Sequence, residues 1–357
     1  MSETHRFPYR WKLADGFPAR GVPAHGATVF GTFICGGGSS MGYKLAGYDH
    51  LGGVEIDPKV AATYRANLHP LYLYVEDLRV FNARTDLPDE LYRLDLLDGS
   101  PPCTTFSMSG DREKAWGREK RFSEGQARQT LDDLVFVYCD TIAKLRPRVC
   151  LLENVAGLLR GNAKSYARRI VSRLESVGYR VQVFDLFAAR MGVPQLRERV
   201  FFIGLRRDLA DVLPPLALRF GEPTIPFGEI RDREDMTPNL GSRTEAVVRA
   251  ASPGDRKLSD TRERLDGMSV GFNSIYVRDG NVLPTLSTGE CLIIPDVPRY
   301  VNSAERVRAS SFPQDYAFAS RAQLAFMTGM CVPPVMTANI AYEIYLQWLS
   351  KPEGGAV

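Results

Sequence analysis

The sequence predicts an α/β protein: a doubly wound sheet, followed by a smaller irregular domain that begins after residue 207. Three observations predict it. Short apolar runs alternate with helical patterns from Ala27 to Leu205, as expected of a sheet covered by helices on both faces. A run of glycines follows the first apolar stretch at once, where α/β sheets bring backbone close to a ligand. The alternation stops near Arg207, and residues 208–285 turn to Pro, Gly and charges of both signs.

The elements follow in order. Residues 1–26 are polar, aromatic and rich in Pro and Gly, and are expected to form an irregular leader. Ala27–Ile34 reads as a buried strand, and Met41–Gly47 opens a helix after the glycines. Gly52–Ile56 is a second strand, and Pro58 begins a helix through Leu68, because proline suits a first helical turn. Leu94–Asp98 is a strand that feeds the turn Gly99–Cys103. Asp132–Leu145 is helical in pattern and ends at Arg146-Pro147. Val149–Leu152 is a strand, and Ala163–Val177 a helix closed by Gly178. Tyr179–Leu186 and Arg199–Leu205 complete the sheet. A helical pattern returns from Val301, and Pro333–Leu349 reads as a last helix. The expected domains are 27–207 for the α/β sheet, 208–285 for the irregular insertion, and 286–357 for a return to the first domain.

Composition narrows the function. The chain has 357 residues, 44% of them apolar and 24% charged, enough for a large core and unlike a disordered chain. No run reaches the ~18 apolar residues that span a bilayer, so no membrane association is expected. The N-terminus shows no apolar core of a secretory signal. The formal charge of +3 argues neither for nor against nucleic acid. Six cysteines form no CxxC pair and read as reduced thiols of a cytosolic protein. All four histidines lie before residue 70, so chemistry further along must use Cys, carboxylates, Arg and Tyr.

Four constellations carry that chemistry. Gly37 and Gly38 allow close backbone approach to a ligand, and Glu55, at the end of the next strand, stands where a carboxylate accepts ribose hydroxyls. Asp77 could reach an adenine amino group. The turn Gly99–Cys103 holds two prolines that stiffen it and present Cys103 at the mouth of the sheet. Glu153 ends a buried strand and faces the edge that holds Cys103 if the two strands are parallel neighbours. A half-buried carboxyl there would hold a proton more readily than a solvated one. Arg197 and Arg199 are expected at the start of one strand, on one face. Each has a plainer explanation: a solvated turn, an incidental thiol, a structural carboxylate, an edge strand. Together they match a demanding reaction. Carbon 5 of a pyrimidine is a poor nucleophile, and a thiolate adding at carbon 6 makes it enamine-like. A carboxyl group at nitrogen 3 neutralises the developing charge, and arginines hold the base and the acid.

The chain resembles the DNA (cytosine-5)-methyltransferases of bacteria and phages, in order, over about residues 27–207 and 281–349. GSPPCTTFS resembles their catalytic Pro-Cys loop, LLENVAGLL their Glu-Asn-Val motif, and GVPQLRERVFFIG their Gln-x-Arg-x-Arg motif. TFICGGGSSMGYKLAG with GGVEID resembles their cofactor loop and ribose acid. RYVNSAERVRASSFPQDY and GMCVPPVMTANIAYEI resemble the two late motifs. The resemblance implies a Rossmann-like, S-adenosylmethionine-dependent fold without a metal. It implies Cys103 as nucleophile, Glu153 as the group that contacts and protonates nitrogen 3, and Arg197 and Arg199 as its partners. Phe33, Gly37, Gly38, Glu55, Ile56, Asp77, Leu78, Pro102, Leu134 and Met330 would hold S-adenosylmethionine. Residues 208–285 would be the target-recognition domain. A monomer acting on duplex DNA in the cytoplasm is expected, with the target cytosine flipped out and room for a cognate restriction endonuclease. Methylation of RNA, or DNA binding by an impaired relative, are the alternatives. Four motifs depart from the family pattern: Cys35 replaces a loop Gly, Thr104 a Gln, Arg308-Ala309-Ser310 before Ser311-Phe312-Pro313 an Arg-Leu-Gln before Gly-Phe-Pro, and Met330 an Asn. Met330 lacks the donor and acceptor of an amide, so weakened donor binding is expected there.

Overall fold

The computed structural model describes residues 5–102, 134–161, 163–267, 274–289 and 291–351. The chain forms two compact units. A sheet unit comprises Gly16–Phe187, Glu198–Phe220 and Pro334–Val357, and a second unit comprises Met1–Asp15, Ala188–Arg197 and Gly221–Pro333. In chain order the elements begin with Thr28–Thr32 (β1), Gly38–Leu45 (α1), Asp49–Val54 (β2), Pro58–Leu68 (α2), Tyr72–Tyr74 (β3) and Leu78–Ala83 (α3). Leu96–Gly99 (β4), Leu134–Leu145 (α4), Val149–Val155 (β5), Ala163–Ser176 (α5), Tyr179–Phe187 (β6), Gln195–Leu196 (β7), Glu198–Arg206 (β8) and Arg207–Ala210 (α6) follow. Then come Phe227–Ile230 (α7), Ser242–Arg249 (α8), Leu258–Asp266 (α9), Ile275–Tyr276 (β9), Leu283–Pro284 (β10), Leu292–Ile294 (β11) and Arg299–Tyr300 (β12). Ser303–Ala309 (α10), Arg321–Met330 (α11) and Pro334–Ile344 (α12) complete the order.

The sheet unit holds seven strands in the order β3-β2-β1-β4-β5-β8-β6. The first five are parallel, and β8 runs antiparallel to both of its neighbours. The order steps outward from β1 and β4 in both directions. That leaves a topological switch point at their C-terminal ends, where doubly wound sheets bind ligands. Local sequence explains the helices. Asp57 caps α2, its carboxylate accepting from the Lys59 and Val60 amides at 2.8 and 3.3 Å, with Pro58 in the first turn. On one face Phe30, Leu97, Leu152 and Phe202 pack with Val135, Tyr138 and Ile142 of α4. Burying each such side chain stabilises the fold by about 1.5–3 kcal/mol. The Tyr138 hydroxyl lies 2.8 and 2.7 Å from the Leu97 and Leu151 carbonyls, so α4 is also tied to the sheet by polar contacts. Helix α12 lies close on α1. A Cβ at Gly42 would fall 2.5 Å from the Pro334 carbonyl and from Thr337, so any larger residue at 42 pushes these helices apart.

The second unit is built around a three-stranded sheet, β12-β11-β9, and a parallel pair, β10-β7. Its core gathers Phe227, Ile230, Leu283, Leu292 and Ile294. Beside it Arg299 and Glu305, both fully buried, form a bidentate ion pair at 2.7 and 2.8 Å. Glu305 also accepts from the Asn302 amide, and Asn302 accepts from the Glu305 amide, the reciprocal cap of α10.

Several expectations change. The leader does not stand apart: residues 5–15 belong to the second unit, where buried Trp11 donates to the Ser311 carbonyl at 2.9 Å. The segment returning to the sheet unit begins at Pro334, since Gly221–Pro333 packs on the second unit's own core. Residues 208–285 are less irregular than their composition suggests, because α8 and α9 carry the ion pairs Arg249–Glu245 and Arg262–Asp266 one turn apart. The stretch Arg321–Leu349 is apolar and long, but it is two helices interrupted at Cys331–Pro333, and 78% of its most apolar window is buried in the protein.

Candidate active site

Strand alternation and register build the centre of the site. Glu153 and Val155 lie on the same face of β5, and Arg199, at the start of β8, pairs in register with Val155. Arg199 is thus the diagonal neighbour of Glu153, and its Nε meets the carboxylate at 3.0 Å. Glu153 is 8% exposed. Burial lowers the proton affinity of the Arg199 guanidinium, and the Glu153 carboxylate beside it raises it again. Strands β4 and β5 are parallel neighbours, the condition under which Glu153 was expected to face the Pro-Cys turn. Asn154 reaches across them, its Nδ2 3.4 Å from the Pro101 carbonyl. The turn is thereby fastened to the Glu-Asn strand as it leaves β4. Cys103 itself lies outside the described residues.

Arg197 is placed differently from expectation. It lies between β7 and β8 rather than in one strand with Arg199, and it belongs to the second unit. It is 1% exposed, and its two terminal nitrogens donate to the Gly329 and Met330 carbonyls at 3.0 and 2.9 Å. Those are the last carbonyls of α11, which have no partner within the helix. Met330 belongs to the same unit and is 44% exposed.

The remaining expected residues gather just past the C-terminal ends of the parallel strands. Phe33, Gly37 and Gly38 follow β1, Glu55 and Ile56 follow β2, Asp77 and Leu78 follow β3, and Pro102 follows β4. Leu134 begins α4 and is buried. The loop after β1 is bent by positive φ at Phe33 (56°), Cys35 (47°) and Gly37 (75°). This brings the Cys35 amide to the Glu55 carboxylate at 2.9 Å, whose other oxygen accepts from the Asp57 amide at 2.9 Å. Burial pushes the Glu55 carboxyl up to about 7, and the Asp57 and Cys35 amides oppose it. Asp77 caps α3 through the Arg79 amide at 2.8 Å and pairs with the Arg79 guanidinium at 3.2 Å, so it has a structural role as well.

The donor set fits a nucleoside with an amino-acid tail. A carboxylate able to accept hydroxyls stands at the end of β2, beside α1, whose cap residue Gly37 offers no side chain to its first-turn amides. Such uncapped amides suit a ligand carboxylate. Among the described residues, no group of three or more His, Cys, Asp or Glu side chains could hold a metal ion. The five described cysteines take part in no disulfide, and burial pushes the Cys139 thiol up to about 12.

Comparison with known proteins decides the family. The family described as C-5 cytosine-specific DNA methylase matches residues 28–346. This chain belongs to that family. The Type II methyltransferase M1.HphI of Haemophilus parahaemolyticus is 28% identical over 341 residues, covering 89% of this chain and 86% of its own length. The Type II methyltransferase M.Sau96I of Staphylococcus aureus is 34% identical over 313 residues, covering 82% of this chain and 69% of its own. A prophage-encoded DNA modification methyltransferase of E. coli shares the fold, with a TM-score of 0.68 at 19% identity over 91% of this chain and 100% of that one. The chain is therefore a DNA cytosine-5 methyltransferase, and the methyl donor of its family is S-adenosylmethionine.

One residue at the site, Asn154, and one buried residue of β4, Asp98, have no role in the sequence reading. Asn154 could have been found from its place beside Glu153 in the Glu-Asn pair. Asp98 carries no local signal, because a buried aspartate before a glycine looks like the start of a turn.

Proposed function

We propose that Cys103 is the nucleophile, that Glu153 holds nitrogen 3 of the target cytosine, and that Arg199 orients Glu153. The Cys103 thiolate forms a bond to carbon 6, and the ring's electron pair moves to carbon 5. Glu153 supplies the proton that nitrogen 3 takes up. When bound, S-adenosylmethionine offers carbon 5 an electrophilic methyl group. A base then removes the carbon-5 proton, the double bond re-forms as the thiolate leaves, and nitrogen 3 returns its proton to Glu153. The observation that carries this reading is the buried Glu153–Arg199 pair, on the strand fastened by Asn154 to the Pro-Cys turn.

The donor pocket in this reading is the loop after β1 with Glu55 and Ile56, bounded by Asp77, Leu78, Pro102 and Leu134. Arg197 acts as an anchor of α11, not as a partner of the base. Residues 208–285 choose the sequence, and the protein works as a monomer on duplex DNA in the cytoplasm. A cognate restriction endonuclease is proposed as a partner because relatives bear the name Type II methyltransferase.

The test is covalent trapping. Duplex DNA with 5-fluorocytosine at the target position blocks the last step, because fluorine cannot leave as a cation. Denaturing gels should show a shifted, donor-dependent band for wild type and none for Cys103→Ala. A shifted band in the alanine variant would remove Cys103 from the mechanism.

A further inference from the structure

One buried carboxyl of the sheet unit is used by none of the chemistry above. Asp98 is the third residue of β4, five residues before Cys103, and is 4% exposed. Successive side chains of a strand point to opposite faces. A Cβ on Gly99 would meet the Tyr138 ring of α4 at 2.4 Å, so Asp98 points the other way, beneath α1. There Oδ1 accepts from the Tyr43 hydroxyl at 3.1 Å, and Ser39, in the first turn of α1, donates to the same carboxyl. The Asp98 carbonyl accepts from the Thr32 hydroxyl at 3.1 Å, one residue before the bent loop starts. Asp98 thus joins the strand that leads to the Pro-Cys turn with the loop and helix of the donor pocket.

The ionisable groups on its side of the sheet are Tyr43 from α1, Tyr64 from α2 and Glu153 from β5, and Tyr138 of α4 lies on the opposite face. Among the described residues no Lys, Arg or His pairs with Asp98. Burial pushes its carboxyl up to about 7; the Tyr43 bond opposes this, and Glu153 adds to it. A buried carboxylate without a cation is costly, so at neutral pH the group is balanced between its two forms.

The methyl donor is a cation at sulfur, and the product of transfer is neutral there. We propose that Asp98 is the counter-charge to that sulfonium, and so distinguishes a pocket holding the donor from one holding the spent product. The proposal rests on the donor pocket described above. With the donor bound, Asp98 releases its proton to solvent and stands as carboxylate. With S-adenosylhomocysteine bound, it takes a proton back. Preference for donor over product then comes from a residue outside the set that binds the ligand.

Calorimetry on the full chain with S-adenosylmethionine and S-adenosylhomocysteine, in two buffers of different ionisation enthalpy, reads both affinity and protons released. The donor-to-product affinity ratio of wild type should rise between about three- and tenfold from about pH 6 to about pH 8, with proton release on donor binding near pH 7. In Asp98→Asn the ratio should be lower and flat, with that proton release gone. Tyr43→Phe keeps the ring packing but removes a bond that favours the carboxylate, so its midpoint should move to higher pH. A wild-type ratio independent of pH, or Asp98→Asn with the wild-type ratio and proton release, overturns the proposal. Should Asp98→Asn fail to fold, an unmoved midpoint in Tyr43→Phe overturns it alone. Glu55→Gln should weaken both ligands alike; if it binds both as wild type does, it is the pocket reading that has failed.

Discussion

Cys35 sits at φ 47°, in the left-handed region that glycine enters without steric cost, at a position where the resembled family keeps a glycine. The backbone has kept the glycine conformation although the side chain has changed. Cys35→Gly should therefore stabilise the protein by about 0.5–1 kcal/mol, read as a melting temperature higher by roughly 2–4 °C per kcal/mol. An unchanged or lower melting temperature would mean that the thiol makes contacts worth the strain. The buried carboxyls give a second prediction at this scale. Glu55 and Asp98 both hold protons more tightly when folded, up to about 7 in each case. Their contribution to stability is full below their ordinary carboxyl range and is lost as pH rises towards 7. Denaturant unfolding of the unliganded protein at a series of pH values should show that fall, and Glu55→Gln and Asp98→Asn should each flatten it. A slope identical to wild type in both variants would show that neither group is desolvated as described. The sequence motifs place Glu55 just past β2 and Arg199 at the start of β8, whereas β5 runs two residues beyond Glu153, which was expected to end it. Asp98 was not legible, since its role depends on α1 lying above β4, which no local pattern encodes.

Among the elements, α2 was legible to the residue because its start signal is local, Pro58 in the first turn; the Asp57 cap and His69, which closes the helix at φ 46°, come from the structure. The strand after Gln195 was misjudged for an equally physical reason. Alternation from Gln195 to Arg199 looks continuous, but the chain breaks between β7 and β8, and Arg197 in the break belongs to a different unit from Arg199. Its guanidinium instead completes the C-terminal end of α11. Arg197→Met keeps length and apolar bulk but leaves the Gly329 and Met330 carbonyls without these donors. We expect a loss of about 2–4 kcal/mol, with faster amide exchange concentrated in α11. The 5-fluorocytosine adduct should still form wherever the variant is folded. A folded, fully stable Arg197→Met protein that forms no adduct would return Arg197 to the chemistry. Helices α8 and α9 escaped the sequence pattern because they are short and largely polar, and tertiary packing of Val247, Val248 and Leu258 supplies what propensity lacks.

Across the whole molecule, the alternation that announced the sheet also marked where it ended, but not how the chain divides. The second unit takes its residues from three separated stretches, and only contacts distant in sequence, such as Trp11 with Ser311, assign them. This division places Glu153 and Arg199 in a different unit from most of the segment proposed to choose the DNA sequence. Within that segment the arginines are not equivalent. Arg249 and Arg262 pair along their own helices, Arg264 holds the Asp255 carboxyl down at about 2, and Arg278 donates to the Ser252 and Asp255 carbonyls. Arg243 and Arg256 are exposed, and among the described residues their guanidinium groups have no partner. A guanidinium already committed within the fold supports structure, whereas an uncommitted one is available for a phosphate or a base edge. Arg243→Ala and Arg256→Ala should therefore weaken duplex binding, by about 1–3 kcal/mol and with relaxed sequence choice for a true base contact, or uniformly for a phosphate contact. Arg264→Ala should instead lower the melting temperature, because it leaves the Asp255 carboxylate without its ion pair. Bisulfite sequencing of DNA from cells expressing each variant reports the methylated context, and binding at two salt concentrations separates phosphate from base contacts. If Arg243 and Arg256 can both be removed with affinity and methylated context unchanged, while Arg264→Ala alters context without loss of stability, then the committed arginines read the DNA and the assignment is reversed.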